Sequence, residues 1–467
     1  MIDALPRAQV KVLSATGMLG TGFLEASLDR GIALGAQAIG CDAGSSDPGP
    51  YFLGSGMLSR AAAANKRDLA LILRAGRRAG IPVAVGSAIN AGADAHLGEA
   101  VRLVHEIVAE HRLSLRLAVI HSELTRDWLL AAWREGRVRA MPGVPELDEA
   151  TILGTAHLVA QMGPEPYAAA FAAGADAVIA GRSSDAAIFA ALAMRLGVAA
   201  GPAWHAGKVL ECGAAAAIQR LHPDCILASY DGGAFTVELP NAKMACNVQS
   251  VRAHGYYENA DPFHIHEPGG MIDTTHSSYE ELSGGRVRVG GSRFVPADRY
   301  EIRVEGSRFV GYRSVAFVGI SDPILLDDLD NFLATCRDEI IAKCRESLGI
   351  EHGREYRLTL RRYGSAAGVQ EPGETHKVGL VFEIIAAEQA QARAAAAIAV
   401  HTGLHHPVRG WQGFVSNLAI PFSPAVFDGG PVYEWSVNHL VAIDDPVAPF
   451  RTVGPRPVTG EYDHAAW

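Results

Sequence analysis

ADAVIAGRSSDAAIFAALAMRLG, residues 175–197, reads as a continuous apolar strand, a polar break at Gly181-Arg182-Ser183-Ser184-Asp185, and an apolar helix. A strand without alternation is buried on both faces, the habit of parallel sheets covered by helices. The same grammar recurs upstream. VKVLSAT (10–16), AQAIGCDAG (36–44), IPVAVGSAIN (81–90) and LRLAVIHSEL (115–124) predict four more such strands. RDLALILRAGRRAG (67–80) and GEAVRLVHEIVAEHRL (98–113) have apolar residues at helical spacing, and Gly80 supplies a stop. Residues 1–205 are therefore expected to form an α/β domain with a parallel, doubly wound sheet.

Downstream the pattern changes. AFTVELP, MACNVQSVRA, RVRVGGSRFV, RYEIRVEGSRF and YRSVAFVGI alternate and predict antiparallel strands, which makes 206–300 a β-rich insertion or extension. A long helix over 325–349, the strands YRLTLRRYG and KVGLVFEIIAA, an Ala-rich helix over 388–401 and a last strand in VYEWSVNHLVAI predict a C-terminal α+β domain at 301–467.

The 467 residues carry 41 Lys and Arg against 51 Asp and Glu, a formal charge of −10, and 49% are hydrophobic. Wholesale disorder needs lower hydrophobicity and is excluded. With no dense basic block, nucleic acid is not an expected partner. No apolar run is long enough to span a bilayer, so no membrane association is expected. The start, MIDALPRAQVKVLSA, lacks the pattern of a signal peptide, and the 6 cysteines form no C-x-x-C. A reducing cytoplasmic setting is expected. Glycine is in excess, at 50 residues, and has no G-X-Y period. These glycines serve turns, close packing or ligand loops.

The predicted strands end in small or polar residues, and ligands of open α/β sheets bind beyond those carboxyl ends. SATGMLGTGF (14–23) brings Thr16, Gly17 and Gly20, either as a backbone-amide cradle for an anion or as a tight turn. CDAGSSDPGPYFLGSG (41–56) delivers Asp42 into a long polar loop. GSAINAGADAHL (86–97) carries Ser87, Asn90, Asp94 and His96, as an oriented acid/base group or as a capped helix start. His121, Ser122 and Glu123 follow the fourth strand. Neighbours on a strand point to opposite faces, and there is no G-x-S-x-G, so a serine hydrolase is disfavoured. Arg182 ends a buried strand and needs a partner: a substrate carboxylate or phosphate, or an internal ion pair with Asp185 or Asp42. KVLECGA (208–214) pairs Glu211 with Cys212 and by itself indicates neither a nucleophile nor a metal site. ADPFHIHEPGGMIDTTH (260–276) offers His264, His266 and Glu267 as metal ligands if it is a strand, but Pro262 and Pro268 predict a loop.

GADAVIAGRSSDAAIF (174–189), KVLECGA and NLAIPFSPAVFDGGPVYEWSVNHL (417–440) together resemble the acyclic terpene utilisation AtuA family. The resemblance implies a cytoplasmic catabolic enzyme whose relatives sit among genes for degrading terpenoids, branched acids and acyl-CoA thioesters. It carries over no catalytic residues. The first third departs from terpene-pathway members, which have an Asn-Gly-Gly segment where this chain has GSAINAGADAH. A diverged subgroup with a more polar substrate is the implied reading.

The leading expectation is a lyase or hydratase acting on a small carboxylate or an acyl-CoA thioester. Asp42, His96, His121 and Glu123 are its acid and base candidates. Thr16, Gly17, Gly20, Ser87, Asn90, Asp94, Arg182 and Asp185 are its substrate contacts. A metal-dependent hydrolase or isomerase using the 264–267 segment, and a non-enzymatic ligand-binding or scaffold subunit, are the alternatives. The cofactor is unassigned, a divalent metal being the one weighed. The expected partner is a small anionic substrate, and a homo-oligomer is expected.

Overall fold

The computed structural model describes residues 9–256, 259–364, 377–410, 416–458, 462 and 467. They form two compact units, Met1–Arg308 with Trp435–Trp467, and Phe309–Glu434. The sequence pattern predicts one C-terminal domain over 301–467. The chain instead returns to the first unit at Trp435, where its tail adds a strand to the first sheet.

In the first unit the strands are β1 (Val10–Ser14), β2 (Ala38–Asp42), β3 (Val83–Gly86), β4 (Arg116–Ile120), β5 (Val138–Ala140), β6 (His157–Ala160) and β7 (Ala177–Ala180). β1, β2, β3, β7 and β4 lie side by side in that order and run parallel. Alternate residues face opposite ways. Val12, Ala38, Ala84, Val178 and Ala118 enter one core, and Leu13, Ile39, Val85, Ile179 and Val119 enter the other. Helices α1 (Glu25–Ala33), α2 (Pro50–Ser55), α3 (Ala62–Ala79) and α4 (Asp94–His111) belong to the connections as far as β4. α5 (Arg126–Arg134), α6 (Glu149–Leu153) and α7 (Glu165–Ala172) lead back from β4 to β7. α1, α3 and α4 share the core of Leu13, whereas α5–α7 share the core of Val12. The change of face accompanies the change of direction, as right-handed crossovers require.

After β7 come α8 (Asp185–Arg195) and α9 (Ala200–Leu210), packed on the face of Val12. The central β-rich stretch then extends the same sheet. β8 (Ile226–Asp231) pairs antiparallel with β1, and β9 (Ala234–Glu238) pairs with β8. One expectation is corrected here. MACNVQSVRA is not a strand: it enters α10 (Val248–Gly255), started by Asn247, whose side chain accepts from the Ser250 N–H while the Ser250 hydroxyl accepts from the Asn247 N–H. A second correction concerns ADPFHIHEPGG. β10 (His264–Glu267) and β11 (Gly270–Asp273) form a hairpin, because Pro262 and Pro268 fall just outside the paired residues. β12 (Ser278–Leu282) and β13 (Arg286–Gly290) complete the sheet on the β9 edge, and β14 (Arg293–Pro296) joins β11.

The chain passes into the second unit within β15 (Tyr300–Ile320). There α11 (Pro323–Asp327), α12 (Leu329–Leu348), β16 (Tyr356–Tyr363), β17 (Val378–Ala386) and α13 (Gln389–His405) build an α+β layer. β16 and residues 312–320 of β15 flank β17, and Phe332, Ile340, Phe382 and Ala396 lie in its core. β18 (Val426–Ile443) leads back to the first unit, where β19 (Thr452–Pro457) pairs with β4.

Candidate active site

The carboxyl ends of β3, β7 and β4 are adjacent, and the loops leaving them are stitched together. The Ser87 N–H donates to Gly181 O at 2.9 Å, and the Gly181 N–H to Ile120 O at 2.8 Å. Ser122 Oγ accepts from the Arg182 N–H at 2.5 Å and donates to Gly92 O at 3.0 Å. Ser122 faces this junction, whereas its neighbours His121 and Glu123 bond Asp94 and His157.

Arg182 lies at the centre of the junction, with 4% of its side chain exposed. Its Nε donates to Glu305 Oε2 at 3.0 Å. Its Nη1 reaches Ser183 O at 2.8 Å, Asp185 Oδ1 at 3.2 Å and Ser87 Oγ at 3.3 Å. Glu305 also accepts from Ser46 Oγ at 2.7 Å and lies 3.2 Å from Arg303 Nη2. Burial opposes ionisation of Glu305, but Arg182 and Arg303 outweigh it and hold its pKa below the usual value. Asp42 is buried at the end of β2, and its pKa is pushed well up, first by burial and then by Asp185. Asp185 is raised chiefly by burial as well. It nevertheless keeps 29% of its side chain accessible, so the cluster opens towards solvent there.

α9 ends in the same place. Lys208 Nζ lies 2.6 Å from Glu211 Oε1, and Ser184 Oγ donates to Glu267 Oε2 at 2.5 Å. Burial raises Glu211 to about 8 against the pull of Lys208, and raises Glu267 to about 7. Burial works against the Lys208 ammonium, but Glu211 and Glu267 outweigh it, and the lysine stays charged. Five carboxyl groups (Asp42, Asp185, Glu211, Glu267, Glu305) thus share two buried cations, Arg182 and Lys208. Such an excess retains protons at neutral pH. Beside it, Ser46, Asp47, Arg303, Glu305, Trp435, Val437 and Asn438 line a hollow of about 130 Å³.

The other expected residues are placed elsewhere. His121 Nδ1 lies 2.7 Å from Asp94 Oδ1 and its Nε2 lies 3.0 Å from Trp467 O. Glu123 accepts from the Asp94 N–H at 2.8 Å, at the start of α4, and from His157 Nδ1 at 2.6 Å. That bond to Glu123 raises the His157 pKa. His96 is buried and shares Met57 O with Asn90. Of the four acid/base candidates, Asp42 joins the Arg182 cluster, whereas His96, His121 and Glu123 gather around the start of α4.

The glycine-rich loop already holds an anion. The Gly20 and Gly22 N–H groups both donate to Asp68 Oδ2 at 2.9 Å, and Thr16 Oγ1 reaches Gly22 O at 3.3 Å. A Cβ on Gly17 would lie 2.3 Å from Cys212 O, so this glycine admits the segment after α9. On β10 the ligand candidates separate: His264 Nδ1 bonds Asp261 at 2.9 Å, His266 is exposed, and Glu267 turns inward to Ser184. Among the described residues no three His, Cys, Asp or Glu side chains converge to hold a metal ion. None of the described helices is long and apolar enough to cross a membrane.

Lys208, Glu305 and Arg303 are members of the cluster that the sequence reading passed over. Lys208 had a local signal, being three residues before Glu211 on one helix face. Glu305 had none, since it stands in an alternating strand 123 residues from Arg182.

No curated protein and no solved structure matches this chain. A family model described as acyclic terpene utilisation family protein AtuA matches residues 65–416, which contain Arg182, Asp185, Lys208, Glu211, Glu267 and Glu305. The chain belongs to the acyclic terpene utilisation AtuA family.

Proposed function

We propose that this protein is a catabolic enzyme that adds or removes water, or cleaves a carbon–carbon bond, in a small carboxylate or its CoA thioester. The catabolic part follows from the family's description, acyclic terpene utilisation. The observation that carries the chemistry is the set of carboxyl groups at the sheet's carboxyl edge, above all Glu267, whose pKa near 7 suits a general acid/base. In a dehydration, the Asp185 carboxylate beside the opening takes the proton from carbon. Glu267 in its acid form gives a proton to the departing hydroxyl, and water leaves. Hydration runs the same steps backwards. Asp42, unable to ionise readily beside Asp185, keeps the proton count of the pair at one.

The test is a turnover screen over hydroxy acids and hydroxyacyl-CoA thioesters, followed by Glu267→Gln and Asp185→Asn. Each is expected to lower kcat by about 100-fold or more, the usual scale for a lost acid or base, with KM little changed. Wild-type kcat in both variants would remove the assignment.

A further inference from the structure

A cavity of about 600 Å³ lies beside the carboxyl cluster and plays no part in the chemistry above. Its wall includes Cys212, Ala217, Arg220, Asn247, Ala253 and His254. It adjoins the cluster through α9 and the residues after it. Cys212 follows Glu211 directly, and its thiol pKa is raised by burial and then by Glu211, Asp185 and Asp42.

The wall divides into two kinds of surface. Ala215, Ala217, Ile218 and Ala253 are apolar and, Ile218 apart, small. Ile218 is 58% exposed, as is neighbouring Leu221 at 52%, so the lip is apolar too. Against this stands one cation, Arg220. Among the described residues Arg220 has no hydrogen bond and no ion pair, unlike Arg182, whose donors are engaged by Glu305, Asp185, Ser183 and Ser87. An engaged guanidinium has little left for a ligand, and a free one at a cavity mouth has all its donors.

We propose that this cavity binds an amphipathic carboxylate, with Arg220 gripping the carboxylate and the Ala215–Ile218 and Ala253 surface receiving the hydrocarbon part. The inference rests on the reading of the chain as an enzyme of small carboxylates, and it moves the anion anchor from Arg182 to Arg220. Burial pushes the His254 pKa down to about 4, so the imidazole in the cavity wall is neutral and the charge there is carried by Arg220.

Binding is measured directly on the full-length protein by isothermal titration calorimetry with hexanoate or its neutral isostere hexanamide. Hexanoate is expected to bind saturably and hexanamide is not. Arg220→Gln should weaken hexanoate binding by about tenfold or more, as loss of a charge-assisted contact does. Ala253→Trp, an exposed change that fills the cavity, should abolish binding in a protein of unchanged melting temperature. Equal binding of hexanamide, wild-type affinity in Arg220→Gln, or no binding of hexanoate overturns the proposal. Turnover of Glu267→Gln is a separate readout. A failed binding experiment with an inactive Glu267→Gln removes only the binding site, and the converse removes only the acid/base reading.

Discussion

Arg182 Nε and Glu305 Oε2 meet at 3.0 Å, with 4% and 3% of their side chains exposed. The pair joins the loop after β7 to β15. Two charges withdrawn from water are held by each other and by Ser46, Ser87, Asp185 and Arg303. Removing one partner strands the other, at a cost of about 3–5 kcal/mol, whereas replacing both by apolar residues is nearly neutral in other proteins. Glu305→Leu and Arg182→Met should therefore each lower the urea midpoint strongly, and the two substitutions together should recover much of the loss. Simple additivity in the double variant would show that the two side chains do not act as a pair.

The glycine-rich loop makes a different prediction. Asp68 has 1% of its side chain exposed and accepts from Gly20, Gly22 and Arg67. Asp68→Ala leaves two N–H donors without their acceptor, about 1–3 kcal/mol for each group left unsatisfied. Asp68→Asn keeps an oxygen acceptor and should cost less. Hydrogen exchange at Gly20 and Gly22 is the direct check: both amides should exchange much faster in Asp68→Ala than in the parent. Unchanged protection would mean that the loop is held by something other than this carboxylate.

Much of this arrangement is written locally and some of it is not. Unbroken apolar runs gave β1, β2, β3, β4 and β7, and Arg182 stood out because a guanidinium ending such a run must find a partner. Glu305 was hidden because alternation in RYEIRVEGSRF makes a glutamate look solvent-facing, while its partner is 123 residues away. In α10, the Asn247–Ser250 capping pair was present in the sequence but was outweighed by the alternating residues around it. β19 carries two prolines, Pro455 and Pro457, and was missed because such a segment pairs only at the edge of a sheet. Residues 125–174 yielded no assignment, and they hold α5–α7, β5 and β6. His121 and Glu123 share the strand-end position of Asp42 in the sequence, but their partners, Asp94 and His157, lie at the start of α4 and on β6.

Gly92 tests how tightly the junction is packed. Its φ is +74°, and a Cβ there would lie 2.2 Å from the Arg182 backbone nitrogen. Gly80 has a similar φ of +66° with nothing within 4 Å of the corresponding point. Gly80→Ala should thus show backbone strain alone, about 1–2 kcal/mol. Gly92→Ala adds a collision with main chain, which raises the expected loss to about 2–5 kcal/mol. Denaturation midpoints for the two variants decide this, and equal losses would contradict the close approach of the two loops.

The pH dependence of stability follows from the retained protons. Glu267 and Glu211 titrate near 7 and 8 in the folded protein, because burial disfavours their charged forms. In the unfolded chain a glutamate titrates near ~4.3. Between these values the folded state binds more protons at these two groups than the unfolded one, so their contribution to stability falls as pH rises from about 4.5 to 8 and levels off above that. His157, raised by its bond to Glu123, acts in the same direction: its stabilising contribution is full below ~6.5 and is lost as pH rises through the folded value. Glu305 is lowered, so its contribution is lost only at acid pH below ~4.3, outside this window. His205 and His254, lowered by burial to about 4, act in the opposite direction between about 4 and ~6.5 and are silent above it. The protein should therefore melt at a higher temperature at pH 6.5 than at pH 8. Glu267→Gln with Glu211→Gln keeps the side-chain shape, removes both titrations, and should reduce that slope, leaving the parts set by His157 and by the raised Asp42 and Asp185. A full slope in the double glutamine variant would mean that these two carboxyl groups are ionised at neutral pH, and the acid role given to Glu267 would go with it.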